Sequence, residues 1–341
     1  MQVNINDFDF VVEIPQGEQA RILQLTDIQV IDSHQRRRTD RLCEEEYIRW
    51  SPDNKDWCYK DCLTAVIQQT CPHLIIITGD VIYGEFDDNG SAFTEVVQFI
   101  DSFKIPWAPI FGNHDNECVL GVDWQCEQFL KSKYCLFKQR QITGNGNYNI
   151  AVVQNGVVKR AFYMIDSNGC YGISEKTLNN GHSTAQIGFG ADQIEWYSKG
   201  IKRVKEKYDC PVSMAFHIQL AVFQQAYDQL GLTIPTDLGL VGSDGNFGYL
   251  GAHLKSAWDQ DNAVWEGIKQ LGVDSIFVGH EHQNSISVIY QGVRLQYGQK
   301  SSAYDRYNSD DNGPIMGGTF FTLDEKGVIR NPKIVLYKKS K

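Results

Sequence analysis

Side chains able to bind cations recur along this chain in short polar clusters: Thr26-Asp27-Ile28-Gln29, Gly79-Asp80, Gly112-Asn113-His114-Asp115, His217 and Gly279-His280-Glu281-His282. Imidazoles and carboxylates suit Zn, Fe and Mn. The amide of Asn113 would add an oxygen ligand without adding charge, which keeps a site cationic enough to attract phosphate and acidify water. A carboxylate shared by two cations can bridge them at ~3.5–4 Å, the separation used by hydrolytic two-metal sites. Any one of these histidines by itself reads as a structural histidine. Their joint order with Asp27, Asp80 and Asn113 points to a metal centre. Glycine ahead of Asp80, Asn113 and His280 suits a backbone that passes close to a ligand.

Each cluster directly follows a short apolar run, and that is what could bring residues so distant in sequence together. Residues 21–25, 74–78, 107–111, 161–165, 212–216 and 275–278 are aliphatic or aromatic and too short for an average helix, so they read as buried strands. Helical stretches fall between them at 57–69, 92–103, 124–133, 191–207 and 256–271. Strand ends in α/β layers converge on one edge, where such folds place ligands. Residues 286–290, 293–297, 318–323 and 334–338 are β-rich, with turns at Gln291-Gly292 and Glu325-Lys326-Gly327. They read as antiparallel strands completing a second sheet. The expected fold is α/β: a four-layer α-β-β-α sandwich of two mixed sheets flanked by helices, with the metal site at the C-terminal ends of strands. No linker interrupts the sequence, so residues 1–341 read as a single domain. Residues 31–55 and 220–255 have no clear pattern and read as long loops, commonly lids or binding loops.

Composition narrows the function classes. A net charge of −10 and a pI near 5.3 argue against a nucleic-acid binder, which normally carries a basic face. Bound cations can still supply positive charge locally. The nine cysteines are an odd number with no C-x-x-C pair, so free thiols are expected rather than a disulfide framework or zinc ribbon. No run approaches the ~18 apolar residues of a membrane span, and residues 1–16 lack the basic and apolar regions of a signal peptide. The expectation is a cytoplasmic protein, with a trimmed secreted form left open.

Taken together, these clusters resemble the signature of the calcineurin-like metallophosphoesterase superfamily: D-x-H, G-D-x-x, G-N-H-D/E, a later lone histidine, and G-H-x-H. The resemblance covers Asp27 to His282. It implies a phosphoester hydrolase with two divalent or trivalent metal ions and a metal-bound hydroxide as nucleophile. Asp80 would bridge; Asp27 and His282 would bind the first metal; Asn113, His217 and His280 would bind the second. His114 would stabilise phosphate oxygens, alongside Asn113 and His217, and protonate the leaving group. Asp115 reads as orienting His114 or packing near it, since adjacent residues cannot easily share one metal. The implied partner is a phosphorylated small molecule; a phosphodiesterase or nuclease on the same centre and a non-catalytic scaffold member are the alternatives.

One departure stands out. The first motif has Gln29 where the family has histidine. The second motif reads Gly79-Asp80-Val81-Ile82-Tyr83, resembling purple acid phosphatases, whose tyrosine at this place is a phenolate ligand to iron. Tyr83 and Gln29 are therefore competing ligands to the first metal. In the phosphoprotein phosphatase branch this position is an aspartate paired with the catalytic histidine, a pairing that Tyr83 cannot provide. The wording around the motifs is most similar to the small purple acid phosphatase 29-like group. Arg36, from Arg36-Arg37-Arg38, and His253 are candidate substrate contacts. A solvated loop balanced by Glu44, Glu45 and Glu46 is the plainer reading of the arginines. His34, His73 and His182 match no motif.

Overall fold

A computed structural model describes residues 7–35, 42–169, 188–231, 236–237, 246–251, 261–303, 309–310 and 313–337. Along the chain, β1 (Phe10–Glu13) and β2 (Ala20–Leu25) precede helices α1 (Glu44–Arg49) and α2 (Lys55–Thr70). Next come β3 (Leu74–Thr78), α3 (Ser91–Asp101), β4 (Trp107–Ile110) and α4 (Gly121–Lys131). The middle holds β5 (Tyr148–Gln154), β6 (Val157–Met164), α5 (Ala191–Tyr208), β7 (Val212–Ala215) and α6 (Val222–Gln229). There follow β8 (Thr236–Asp237), β9 (Phe247–Leu250), α7 (Asp261–Gln270), β10 (Ser275–Val278), β11 (Ser285–Tyr290) and β12 (Val293–Tyr297). The chain closes with β13 (Ser309–Asp310), β14 (Gly313–Pro314), β15 (Gly317–Leu323) and β16 (Ile329–Leu336).

These strands form two mixed sheets, as expected. One runs β16-β15-β2-β3-β4 and the other β1-β5-β6-β7-β10-β12-β11-β9-β8, with β13 and β14 as a separate ribbon. The parallel strands β3 and β4 (LIIIT in β3) are buried along their length, which is why they read as unbroken apolar runs; β2, parallel to β3, is buried except at Arg21. The sheets meet face to face: the rings of Phe277 and Phe321 stack at 5.0 Å, and the Tyr148 hydroxyl on β5 donates to the Pro109 carbonyl on β4. Helix α2 packs on β2 and β15, and α5 on β6, from the outer sides. Trp107, Phe111, Phe216 and Phe277 all lie in this core.

The C-terminal strands depart from expectation. They were read as completing one second sheet, but they divide. The β11–β12 hairpin joins the larger sheet beside β10, whereas β15–β16 adds to the smaller sheet beside β2. Strand β16 also starts earlier than expected, because Asn331 and Pro332 look like breakers in sequence. Proline is tolerated in an edge strand, where no partner needs its N–H; Asn331 takes φ +50° at a register shift in the ladder with β15. The apolar-run criterion also passed over β1 and β5. Short helices α1 and α6 fall within the stretches read as loops. Of the helix expected at 256–271, residues 256–260 lie outside the described part.

The cysteines of the described residues are all free, most of them buried. None of the described helices is long and apolar enough to cross a membrane.

Candidate metal centre

The strands β2, β3, β4, β7 and β10 deliver their following loops to one place. The loops are laced backbone to backbone: Asp27 N donates to Gly79 O at 3.1 Å, Gln29 N to Asp80 O at 2.9 Å, and Gly279 N to His217 O at 3.0 Å. Several non-glycine residues here adopt left-handed conformations: Asp27 (φ +50°), Gln29 (+46°), Asp80 (+52°) and His280 (+92°). Each costs of order 1–3 kcal/mol, a type of strain that clusters at functional sites. The motif glycines are required by proximity. A Cβ on Gly112 would stand 2.1 Å from Asp80 Oδ1, and one on Gly279 would stand 2.0 Å from Thr26 Oγ1.

Two groups of donor atoms result. In the first, Asp27, Asp80 and His282 each bring a ligand atom within 4.8 Å of the others, with His282 Nε2 3.5 Å from Asp27 Oδ1. In the second, Asn113 Oδ1 lies 3.0 Å from His217 Nε2 and 2.9 Å from His280 Nδ1, and Asp80 Oδ1 is 3.4 Å from His217 Nε2. Asp80 thus stands between the two groups. Three of the donors are held from behind. Thr26 Oγ1 and the His280 N–H donate to the Asp27 carboxylate, and the His114 N–H donates to Asp80. His217 donates through Nδ1 to the Thr78 carbonyl at 2.7 Å, which turns Nε2 inward and is a common way of orienting a ligating imidazole. Thr26 and Thr78 were not singled out from sequence, although each sits within a motif.

Electrostatics reflect the crowding. Burial would raise the Asp80 carboxyl, but the surrounding imidazoles, His217 first, hold it well below its usual value. Asp27 behaves alike, with His282 outweighing burial. For His217, burial works downward but Asp80 wins and lifts it to about 9; burial and the His217 charge press His280 down to about 3. These groups form one tightly coupled set of anionic carboxylates facing ring nitrogens. Such a set fits cations: three nucleophilic atoms of Asn113, His217 and His280 converge, and the buried Oε1 of Gln29 has no hydrogen-bond partner.

The remaining predicted residues fall in various places. Gln29 Nε2 donates to Asp80 Oδ2 at 2.9 Å. The Tyr83 ring lies edge-on to that of His114, centroids 4.3 Å apart. Asp115 is fully buried, and its two oxygens accept the N–H groups of Ile82 and Gly112 at 3.0 and 2.8 Å. Neither oxygen bonds the His114 ring; Asp115 fastens the second-motif loop to the third. Burial, then the Asp80 charge, lifts its carboxyl to about 7. A carboxylate that does meet the His114 ring is that of Glu117, which no motif marks in the sequence: its Oε2 is 2.9 Å from Nδ1. Arg36, His182 and His253 lie outside the described residues. His34 is exposed, and His73 accepts the Arg21 N–H and contacts Glu18.

Known proteins resemble this chain in sequence and in fold. A model of the family described as calcineurin-like phosphoesterase matches residues 20–284. An Arabidopsis thaliana protein named probable inactive purple acid phosphatase 29 is 27% identical over 253 residues, covering 69% of this chain and 61% of that protein. The Saccharomyces cerevisiae phosphatase DCR2 is 28% identical over 239 residues, covering 62% of this chain and 39% of that protein. An uncharacterized Schizosaccharomyces pombe protein, C1020.05, is 27% identical over 79% of this chain, which spans 47% of its length. The chain thus spans about half the length of these relatives. In fold, it resembles the yellow lupin purple acid phosphatase PPD1 (TM-score 0.51, 12% identity, 95% of this chain and 55% of that one). It also resembles a dimetal phosphatase from Danio rerio (TM-score 0.50, 12% identity, 90% of this chain and 94% of that one). With the family model spanning every motif from Asp27 to His282, the chain belongs to the calcineurin-like phosphoesterase family.

Proposed function

We propose that this chain hydrolyses phosphomonoesters of small molecules with two metal ions. Asp27, Asp80 and His282 would hold one ion; Asp80, Asn113, His217 and His280 the other; Fe, Zn or Mn would suit the donors. The observation that carries this reading is the placement of Asp80 between two donor groups, each with its ring nitrogens and oxygens turned to a common point. When bound, such a pair supplies an acidified water and neutralises charge on phosphoryl oxygens.

The chain's own residues then position and protonate. Asn113 and His217 would contact phosphoryl oxygens as well as hold a cation. His114, beside Asn113 and 19% exposed, is placed to protonate the departing alkoxide, a contribution of roughly 10²–10⁴-fold for a general acid. Between the two further candidates for the first metal, Gln29 fits better. Its amide already contacts Asp80 and its Oε1 is buried without a partner, whereas the Tyr83 ring walls in His114. One apolar core fills the space between both sheets, which supports a single domain.

The Arabidopsis thaliana relative carries "probable inactive" in its name, so a scaffold role is the second reading. Here the donor set is intact in all but one position, which favours catalysis. The test is elemental analysis of the purified protein with turnover of p-nitrophenyl phosphate and its bis ester. Bound metal with faster monoester hydrolysis is expected. Faster hydrolysis of the bis ester would make it a diesterase, and bound metal without turnover of either ester would leave the scaffold reading.

A further inference from the structure

A general-acid histidine needs its ring held as well as placed, because imidazole rotates and has two nitrogens. The segment after β4 makes a 3-10 turn, Asp115–Glu117, with His114 as its N-cap. In that geometry side chains three apart eclipse, so Glu117 lies over His114. The Glu117 carboxylate, 2% exposed, stands 2.9 Å from His114 Nδ1. A carboxylate can only accept, so Nδ1 carries the hydrogen and proton donation to a substrate falls to Nε2.

Tyr83 also meets the ring edge-on, and a second 3-10 turn, Gly84–Phe86, is locked to the first: the Gly84 and Glu117 N–H groups both donate to the His114 carbonyl at 3.1 Å. A Cβ on Gly84 would stand 2.4 Å from Cys118 N and 2.7 Å from His114 O, so the contact needs glycine. Asp115, the neighbour in sequence, is fully engaged with the backbone.

We propose that Glu117 is the positioning residue of the His114 general acid, with Tyr83 as its wall. This rests on the hydrolase reading above. In the reaction, the oxygen of water forms a bond to phosphorus and the ester P–O bond breaks. The departing oxygen keeps the bonding pair and takes a proton from His114 Nε2, and the proton lost by water restores the ring. Glu117 holds Nδ1–H throughout, so that Nε2 points at the departing oxygen.

Positioning of an acid matters most when the leaving group is poor, which gives a readout that a merely structural role would not move. The experiment compares the metal-loaded wild type, Glu117→Ala and Glu117→Gln on p-nitrophenyl phosphate and on glycerol phosphate, with metal content measured for each. Glu117→Ala is expected to lose at least tenfold more kcat on glycerol phosphate than on p-nitrophenyl phosphate, with KM and metal content unchanged. Glu117→Gln, nearly isosteric and still offering an acceptor oxygen, should show the same selectivity at smaller amplitude. It also serves if the alanine variant fails to fold. Equal losses on both esters, loss of metal, or no loss in either variant would overturn the role of Glu117 while leaving the hydrolase reading standing. A wild type that turns over neither ester would remove both.

Discussion

Asp80 and His114 are near neighbours with separable duties. Asp80 is buried, ion-paired to His217 and placed between both donor groups; His114 donates its backbone N–H to Asp80. Asp80→Asn should therefore lower both metal content and turnover, whereas His114→Ala should lower turnover by about 10²–10⁴-fold and keep the metals. Elemental analysis beside steady-state kinetics distinguishes them, and metal loss in His114→Ala would contradict the acid role. Tyr83 can be read optically. A phenolate on ferric iron absorbs in the visible, so iron-loaded protein should lack that band if Tyr83 stays against His114; a band abolished by Tyr83→Phe would make it a ligand.

At the scale of elements, the strand ends carry the strain and the glycines permit it. Gly112→Ala would push a methyl group to 2.1 Å from Asp80 Oδ1, so either β3 and β4 separate or the carboxylate rotates away. Metal affinity should fall at least tenfold, as isothermal titration would show, before the fold itself is lost. Helix α3 offers a test away from the centre. Asp87 accepts the N–H groups of Ala92 and Phe93 in its first turn, while burial, with Asp32 and Asp88 nearby, lifts its carboxyl to about 6 from 3.8. The fold thus favours the protonated form. That contribution is complete below about pH 3.8 and is lost as pH rises through about 6. Asp87→Asn cannot ionise, so the stability advantage of wild type over the variant should shrink between pH 4 and pH 7. The change is on the order of 2–3 kcal/mol in urea denaturation. An advantage that grows with pH would mean the helix holds the carboxylate better than the acid.

Across the whole molecule, one buried cation ties the two sheets together. Arg160 on β6 is fully buried; it donates to both Asp274 oxygens at 2.6 and 2.8 Å, to Ser213, and through Nε to the Gly327 carbonyl in the β15–β16 turn. Breaking a buried pair is costly because it strands a charge. Asp274 is 36% exposed and can regain water, so Arg160→Ala should cost about 3 kcal/mol, the lower end of the range for buried pairs. Denaturation measures that loss. Metal stoichiometry and turnover per folded molecule should be unchanged, because Arg160 is remote from Asp80; a matching loss of turnover would show that the sheet contact reaches the centre.

How much of this was legible beforehand follows from what is local. Strands of aliphatic residues and polar clusters at their ends are written in consecutive residues, so β2, β3 and β10 could be named from order alone, as could the side chains Asp27, Asp80, Asn113, His217, His280 and His282 that the fold gathers. The sheet each hairpin joins is not local: Gly317–Leu323 has no feature marking β2 as its partner, and the two C-terminal hairpins part company only when both faces of the core must be filled. Residues 36–41 and 252–260, with Arg36 and His253, lie outside the described part. Around the centre, sequence leaves Asp115 to orient His114 or pack near it, since adjacent residues cannot easily share one metal. A 3-10 turn brings the third residue over the ring instead and buries Asp115 between two loops. The chain's order therefore determined which candidate side chains are present, and tertiary structure decided which carboxylate faces His114, because hydrogen bonds answer to distance in space.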